Sequence, residues 1–353
     1  MPPKAPKSPK STKTSNQIGS NDLLQIYRTM LLTRAFDNKV LSLQRQGRLG
    51  AYISCTGEEA SIVPSAYALK KDDWMFTSYR EVGAHIVRGL SIELMFAQLF
   101  GNSTDLLKGR QMSNSWGSRD LNIVPTAAPI GAYLPVAVGL AMGANIKKKD
   151  LAVLAYMGDG GTSASDFHAA MNFAGVFRAP IVFICRNNGW AISLPVSRQS
   201  ASKTLAIKAR AYGFEGIRVD GNDAVAVYEA TRVALEKARS GGGPTFIEAL
   251  TYRIGAHSTA DDPSKYRDPK ETEVWAQKDP IAIMKKYLAG RKILDDKTDK
   301  SLLLEVSDIV SKAAKAQEEI PLLQPEKLIF DDVFAELPPF LLEQRDELLL
   351  SKW

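Results

Sequence analysis

Acidic and amide side chains follow two apolar segments in the middle of the chain. Asp159 follows the apolar run 151–157, from which one glycine, Gly158, separates it. The amides Asn187 and Asn188 come directly after a second run, 181–186. Runs of this length are typical of strands buried on both faces of a parallel sheet, and ligands bind at the carboxyl ends of such strands. The carboxylate and an amide oxygen are therefore expected to lie together, where they suit Mg²⁺ bound to a diphosphate.

Glycines flank this carboxylate, and the segment that follows predicts a helix. Gly158 and Gly160 allow the backbone to approach a ligand. Thr162 or Ser163 can cap a helix that continues to about residue 177, and free N–H groups at its N-terminus favour an anion. A dinucleotide-binding fingerprint is excluded, because its third glycine position holds Ser163 and no acid follows at the required spacing.

A sheet and helices must position these residues, and the chain shows both patterns. The two apolar runs and the helix between them predict a βαβ unit, whose strands lie parallel with a right-handed crossover. We therefore predict an α/β fold: a doubly wound, mostly parallel sheet with helical N- and C-terminal extensions. Further predicted elements are helices at 21–46, 58–70, 91–100, 223–239 and 301–318, a short strand or loop at 74–80, strands at 212–221 and 244–253, and loops at 101–129 and 253–269.

The net charge of +6 belongs mostly to the first 20 residues, which hold four lysines and no acid. Four prolines and few large apolar side chains predict that this tail is disordered. We therefore divide the chain into a disordered basic tail, 1–20, and one α/β domain, 21–353, whose helical C-terminal segment starts at about residue 300. The domain holds 41 basic and 39 acidic residues, so we expect no nucleic-acid partner.

The sequence predicts neither a membrane span nor a secretory signal. No run of about 18 apolar residues occurs, and the N-terminus lacks both a signal-peptide core and the arginines of a mitochondrial presequence. The apolar segment 131–146 is interpreted as a buried helix that packs closely at Gly139 and Gly143. Two cysteines, Cys55 and Cys185, suit a reducing compartment. We expect a cytoplasmic protein without a membrane partner, or a mitochondrial matrix protein in a eukaryote.

Motifs along the chain resemble one enzyme family. Gly158-Asp159-Gly160, a gap of 26 residues and Asn187-Asn188 form a pattern similar to the thiamine-diphosphate motif. The string RNNGWAIS at 186–193 is similar to the α subunit of the first component of 2-oxo acid dehydrogenases. The resemblance runs from about residue 22 to the end and is closest to the branched-chain type. The other motifs that carry it are FTSYREVG at 76–83, GNSTDLLKGRQM at 101–112, TYRIGAHSTADDPSKYR at 251–267 and IFDDVFAELP at 329–338.

This resemblance implies an enzyme that uses thiamine diphosphate and Mg²⁺, an oxidoreductase of the 3-methyl-2-oxobutanoate dehydrogenase (2-methylpropanoyl-transferring) type. Its 2-oxo acid substrate is decarboxylated, and the acyl group passes to a lipoyl group on an acyltransferase partner. The α subunit works in an α2β2 heterotetramer within a multienzyme complex. The β subunit supplies the glutamate that activates the cofactor, so the chain alone is expected to be inactive.

The resemblance also implies roles for individual residues. Asp159, Asn188 and the backbone carbonyl of Trp190 match the Mg²⁺ ligands. His257 matches a residue near the reactive centre that stabilises a carboxylate and assists transfer, and Ser258 matches a position phosphorylated in mitochondrial relatives. The residues that match cofactor-binding positions are Tyr79, Arg80 and Arg186 for the diphosphate, Ile130 as the wedge that bends the cofactor, and Ala128, Gly158, Gly160, Gly161 and His257.

The chain departs from the family at two places. Ala164-Ser165 stands where the family often has Glu-Gly, which removes one carboxylate near the cofactor. Ala127, Ala132 and Tyr133 replace the side-chain oxygens with which branched-chain relatives bind a monovalent cation. We therefore expect no potassium site.

Other interpretations stay open from the sequence. The chain could be a pyruvate or acetoin dehydrogenase α subunit, or a non-catalytic scaffold of the same fold. Gly255-Ala256-His257-Ser258 replaces the His-Gly-His-Ser loop of the pyruvate type, which favours the branched-chain type. Tyr79-Arg80 could also form a surface ion pair, and His257 could be a solvated loop histidine. His85 and His168 are interpreted as structural.

Overall fold

Six parallel strands form the main sheet of the computed structural model, which describes residues 18–324, 328–330 and 333–351. The described residues form eight strands in all, six of them in this sheet. They are β1 (Trp74–Phe76), β2 (Ile123–Val124), β3 (Val153–Gly158), β4 (Ile181–Asn187), β5 (Trp190–Ala191), β6 (Leu194–Pro195), β7 (Glu215–Asp220) and β8 (Thr245–Leu250). The order across the main sheet is β2-β1-β3-β4-β8-β7, and every neighbouring pair is parallel. β5 and β6 form a separate antiparallel hairpin.

Helices pack on both faces of this sheet. They are α1 (Ser20–Arg45), α2 (Glu59–Tyr67), α3 (Val82–Val87), α4 (Ile92–Phe100), α5 (Tyr133–Ile146), α6 (Ser165–Val176), α7 (Val196–Gln199), α8 (Ala224–Lys237), α9 (Pro269–Ala276), α10 (Pro280–Gly290) and α11 (Asp296–Glu318), followed by a C-terminal helix at Pro339–Leu350. None of the helices in the described ranges is long and apolar enough to cross a membrane.

Successive side chains of the central strands point to opposite faces of the sheet and pack in two hydrophobic cores. Leu154 and Tyr156 of β3 join the core that includes α1, α2, α4, α8 and α11. Ala155 and Met157 join the core on the opposite face, which includes α5 and α6. Because both faces of β3 and β4 are buried, these strands have no polar alternation, and each is a continuous apolar run in the sequence.

The sheet has a topological switch point between β1 and β3. From β1 the chain goes on to β2 on one side, and from β3 it passes through α6 to β4 on the other side. The loops that leave such a pair of strands diverge and open a crevice in which ligands of α/β proteins bind. The segments that follow β1, β3 and β4 here are 77–80, 159–163 and 188–190, so the sequence motifs meet at this crevice.

The predicted fold class and the parallel βαβ unit are confirmed, whereas the predicted helix cap is wrong. After β3 the chain first makes a 3₁₀ turn over 159–163, and α6 begins after Ala164. Thr162 does not cap the helix, because its hydroxyl donates to the carbonyl of Asp159 at 2.8 Å. Ser163 makes no side-chain cap either, since the N-cap position is Ala164.

Other differences concern loops and packing. The predicted loop 101–129 contains β2, which is too short to give a periodic signal and exists through its pairing with β1. Gly139 and Gly143 are not close-packing positions within the described residues, because apart from the neighbouring backbone of α5 no described atom lies within 4 Å of a Cβ built on either glycine. The predicted tail falls mostly outside the described residues, and α1 begins at Ser20.

Candidate active site

A cavity of about 390 Å³ opens where β1, β3 and β4 end. Every residue that the family resemblance assigns to the metal, the cofactor or the reaction lines this cavity. They are Tyr79, Arg80, Ala128, Ile130, Gly158, Asp159, Gly160, Gly161, Arg186, Asn188, Trp190 and His257. What each of them can do follows from its contacts.

Asp159 begins the 3₁₀ turn after β3, and only 2% of its surface is exposed. Burial raises the pKa of its carboxyl above the ordinary value, and the Gln199 amide opposes this rise by donating to Oδ2 at 2.8 Å. Glycine is required at position 160, since a Cβ there would lie 2.7 Å from the Cβ of Ala191. A carboxylate is an acceptor at both oxygens, so Asp159 can bind a cation in addition to this donor.

Two contacts fix the amide of Asn188. Its Nδ2 donates to Oε1 of Glu58 at 3.0 Å, and its Oδ1 accepts the backbone N–H of Trp190 at 3.2 Å. The carbonyl of Trp190 accepts from Nη1 of Arg253 at 3.2 Å. Amide and carbonyl oxygens each carry a second lone pair, so both predicted metal-binding oxygens can take a further ligand.

Arg186 of β4 is buried between two carboxylates. Its Nη1 donates to Oε2 of Glu58 at 2.6 Å. Its Nη2 donates to the hydroxyl of Ser78 at 3.0 Å and also pairs with Glu81. The Nε of Arg186 is buried and has no hydrogen-bond partner. An unsatisfied buried donor of this kind costs about 1–3 kcal/mol.

Glu81 shapes the turn that carries Tyr79 and Arg80. Its Oε2 accepts the backbone N–H groups of Ser78, Tyr79 and Arg80 at 2.8, 3.0 and 3.1 Å. Arg80 is 2% exposed, so the alternative of a surface ion pair is wrong. Its guanidinium instead reaches His257, where Nη2 lies 3.1 Å from the backbone carbonyl oxygen.

His257 is partly buried between two arginines. Its Nδ1 lies 3.3 Å from Nη2 of Arg80 and 3.4 Å from Nη1 of Arg253. Burial first, and then these two charges, lower the pKa of His257 to about 4. The ring is therefore neutral at pH 7, and because two donors face Nδ1, the ring proton lies on Nε2. Asp261 holds the loop by accepting the backbone N–H of His257 at 2.7 Å.

The loop before α5 supplies an apolar wall. Ile130 is 44% exposed and lines the cavity together with Ala127 and Ala128. Tyr133 also lines the cavity, and its hydroxyl donates to the backbone carbonyl of Tyr156 at 2.7 Å. The hydroxyl at position 133 is thus engaged with β3.

His85 and His168 lie outside the cavity. His85 is fully buried, and its Nδ1 lies 2.9 Å from the carbonyl oxygen of Glu81. His168 is exposed on α6 and contacts the hydroxyl of Tyr212. These contacts agree with the structural role predicted for both. Ser258 is next to His257 in the chain but does not line the cavity.

Glu58, Glu81, Gln199 and Arg253 hold the site residues, and the sequence reasoning missed all four. Glu58 and Glu81 stand at the starts of α2 and α3, where acids are ordinarily solvated and complement the helix dipole. No neighbouring residue in the sequence therefore indicates that they are buried against Arg186. Glu58 and Glu59 precede an uncharged segment, 60–69, but this pattern does not show whether either acid is buried. Gln199 lies 40 residues after its partner Asp159 and shows no pattern at all.

The chemistry of the cavity fits a divalent cation carried on a diphosphate. In the parts of the chain that the structure describes, no group of three or more His, Cys, Asp or Glu side chains could hold a metal ion. A cation here would take a carboxylate, an amide oxygen and a carbonyl oxygen from the protein, and the rest of its oxygen ligands from a phosphate or water. Two residues of the wall also have a buried polar atom without a hydrogen-bond partner among the described residues, namely Nε of Arg186 and the hydroxyl of Thr126.

The sequence matches known proteins over most of its length. The dehydrogenase E1 component family matches residues 27–326. The mitochondrial 2-oxoisovalerate dehydrogenase subunit alpha 2 of Arabidopsis thaliana is 42% identical over 336 residues, which are 94% of this chain and 70% of that protein. The 3-methyl-2-oxobutanoate dehydrogenase subunit alpha of Mycobacterium tuberculosis is 40% identical over 92% of this chain and 85% of its own length. The human mitochondrial 2-oxoisovalerate dehydrogenase subunit alpha is 40% identical over 92% of this chain and 73% of its own length.

Proposed function

The chain belongs to the dehydrogenase E1 component family, and we propose that it is the α subunit of a branched-chain 2-oxo acid dehydrogenase that uses thiamine diphosphate and Mg²⁺. The relatives from Arabidopsis, Mycobacterium and human carry names of that activity. The observation that supports the proposal most directly is the meeting of Asp159, Arg186 and Asn188 in one cavity at the switch point of the sheet.

The proposal gives a binding role to each group, in agreement with its contacts in the cavity. The carboxylate of Asp159, the amide oxygen of Asn188 and the carbonyl oxygen of Trp190 would hold Mg²⁺. Arg186, a residue of the cavity wall, would bind the diphosphate. The other cofactor-binding residues of the proposal are Tyr79 and Arg80 at the diphosphate, the exposed Ile130 and its neighbour Ala128 at the apolar wall, and Gly158, Gly160 and Gly161, which keep side chains out of the cavity.

His257 provides a neutral hydrogen-bond donor to the reaction. Thiamine diphosphate, when bound, supplies the nucleophilic carbon for the 2-keto group and the electron sink for loss of CO₂. Since its pKa is about 4, His257 is neutral at pH 7, and its Nε2–H can donate a hydrogen bond to a carboxylate or oxyanion in the cavity. Arg80 and Arg253 maintain this state and add a positive potential that attracts an anionic 2-oxo acid.

The proposed enzyme needs further subunits. An α subunit of this family implies a β subunit and a complex with an acyltransferase, and we infer an α2β2 heterotetramer with a lipoylated acyltransferase as acceptor of the acyl group. Among the described residues that line the cavity, Asp159 is the only acid. We infer that the glutamate that activates the cofactor comes from the β subunit, as the family implies, and that the α chain alone is inactive.

The test is a substrate panel on the reconstituted complex. The α and β chains are combined with thiamine diphosphate, Mg²⁺ and a lipoylated acyltransferase, and rates are measured with 3-methyl-2-oxobutanoate, pyruvate and acetoin. The branched-chain acid is expected to react fastest, and the α chain alone is expected to give no turnover. Preference for pyruvate or acetoin would reassign the substrate. A flat calorimetric titration of the α–β complex with thiamine diphosphate and Mg²⁺ would leave only a scaffold role.

A further inference from the structure

Glu58 and Glu59 are adjacent, fully buried carboxylates that face different parts of the molecule. Glu58 precedes α2 and accepts from Nη1 of Arg186 at 2.6 Å and from Nδ2 of Asn188 at 3.0 Å. Glu59 pairs instead with Arg34 of α1. Of the two acids, Glu58 is the one that contacts residues of the cavity wall.

At Asn188, the Glu58 carboxylate selects one of two amide orientations. The amide nitrogen can donate to the carboxylate, whereas a flipped amide would place two acceptors against each other without a proton between them. With Nδ2 held by Glu58, the amide oxygen lies on the side of Trp190, whose backbone N–H it accepts at 3.2 Å. Glu58 therefore determines that Asn188 offers an oxygen, and not an NH₂ group, to a cation in the cavity.

At Arg186, the same carboxylate holds one end of the guanidinium group. Nη1 is bound by Glu58, and Nη2 is bound by Ser78 and Glu81. Because both ends of the planar group are anchored, it cannot rotate, and its position in the cavity wall is fixed. Glu58 thus holds a residue proposed to bind the diphosphate as well as one proposed to bind the metal.

The backbone that carries Glu58 is itself constrained. Gly57 has a φ of +96°, and a Cβ there would lie 2.6 Å from Cγ1 of Ile254 and 2.8 Å from the carbonyl oxygen of Tyr252. The carbonyl of Glu58 also accepts the hydroxyl of Ser61 at 2.7 Å. This packing fixes the backbone before Glu58 against the segment that follows β8. That segment is in turn bonded to the end of β4, because the backbone N–H groups of Thr251 and Arg253 donate to the carbonyls of Asn187 and Asn188 at 2.9 and 3.4 Å.

We propose that Glu58 is a positioning residue that orients Asn188 toward the metal and Arg186 toward the diphosphate, so that one buried carboxylate organises both parts of the cofactor site. The inference rests on the proposed function, because it assigns these two residues to a metal and a diphosphate. Loss of a residue that orients metal ligands typically weakens metal binding about 10- to 100-fold.

The test compares Glu58→Gln with the matched control Glu59→Gln in the α–β complex. Each variant replaces one of two adjacent buried carboxylates by an amide. The Kd of Mn²⁺ is measured by electron paramagnetic resonance, the Kd of thiamine diphosphate by calorimetry, and kcat at saturating cofactor by turnover. Glu58→Gln is expected to raise both Kd values about 10- to 100-fold, with a much smaller change in kcat. Glu59→Gln is expected to lower the Tm without cofactor and to leave both Kd values unchanged.

Wild-type Kd values in Glu58→Gln, or an equal rise in Glu59→Gln, would overturn the proposal. If the wild-type complex itself binds neither Mn²⁺ nor thiamine diphosphate, the proposed function fails before any variant is compared. Where Glu58→Gln does not fold, Glu58→Asp decides the question, since it keeps the charge and withdraws the carboxylate by one methylene. Weaker binding of both ligands by a folded Glu58→Asp complex supports the proposal, and unchanged binding contradicts it.

Discussion

Nη2 of Arg80 lies 3.3 Å from Nδ1 of His257 and 3.1 Å from the carbonyl oxygen of the same residue. Arg253 approaches Nδ1 from another direction at 3.4 Å. A partly buried imidazole that faces two permanent cations loses its affinity for a second proton. The residue proposed to act on the substrate is therefore held as a neutral donor.

His257 is expected to titrate at about 4, well below the ordinary value of 6.5. In Arg80→Gln one of the two facing charges is gone, so the pKa of His257 is expected to rise, although burial and Arg253 still keep it below 6.5. Nuclear magnetic resonance of histidine-labelled protein measures this, and with three histidines in the chain each signal can be assigned by single substitution. A wild-type His257 signal that titrates at the ordinary value would contradict the prediction.

The same shift predicts a pH dependence of stability. Between pH 6.5 and about 4, His257 is protonated in the unfolded chain and neutral in the folded one, so the unfolded state binds more protons. The free energy of unfolding should therefore fall as the pH falls through this window. His257→Asn removes this contribution, and its stability should decline less steeply in urea unfolding at a series of pH values. Equal slopes for the variant and the wild type would refute the prediction.

Asp159→Asn is expected to keep the fold and lose the response to cofactor. The buried carboxyl has a raised pKa because burial disfavours its charge, and an Asn amide oxygen can still accept from Gln199. The Tm without ligand should therefore stay or rise. In the wild-type α–β complex, ligand at 100 times its Kd adds about 2.7 kcal/mol, and in the variant this gain should vanish. Asp166→Asn, at a position outside the cavity wall, serves as the control and should keep the full gain in thermal melts.

Gly160→Ala is expected to destabilise the protein without any ligand. Its new Cβ would lie 2.7 Å from the Cβ of Ala191, so the hairpin of β5 and β6 must move away from the turn. Overpacking of this kind costs about 1–3 kcal/mol. Gly158→Ala is the matched control, because no atom lies within 4 Å of a Cβ at that position. Chemical denaturation of both variants measures the difference, and equal stabilities would show that the turn is not constrained at Gly160.

Some strands of the sheet can be predicted from the sequence because their own residues carry the pattern, and others cannot. β3 and β4 are buried on both faces, so their apolar runs and the polar residues after them predict both the strands and the position of Asp159 and Asn188. β2 has two residues and is defined by its pairing with β1, in which the paired residues are 48 positions apart in the chain, so no local pattern reveals it.

His257 and the carboxylates behind the site show the limit of local patterns. No periodicity indicates that the loop after β8 returns to the end of β1, and only the family motif predicted that His257 belongs to the site. Glu58 and Glu81 meet Arg186 across 128 and 105 residues. A buried charge depends on its distant partner, so it cannot be distinguished from a solvated one in the sequence alone.

Residues that meet at the cavity are far apart in the sequence, and this affects how the cavity forms during folding. Arg80 meets His257 across 177 residues, and Arg186 meets Glu58 across 128. Contacts between such distant positions close large loops and form slowly compared with local helices. A growing chain has no complete cavity until the segment after β8 has been synthesised and has returned to β1. In refolding, cofactor binding should consequently follow the recovery of helical circular dichroism, and its rate would report the final assembly of the sheet.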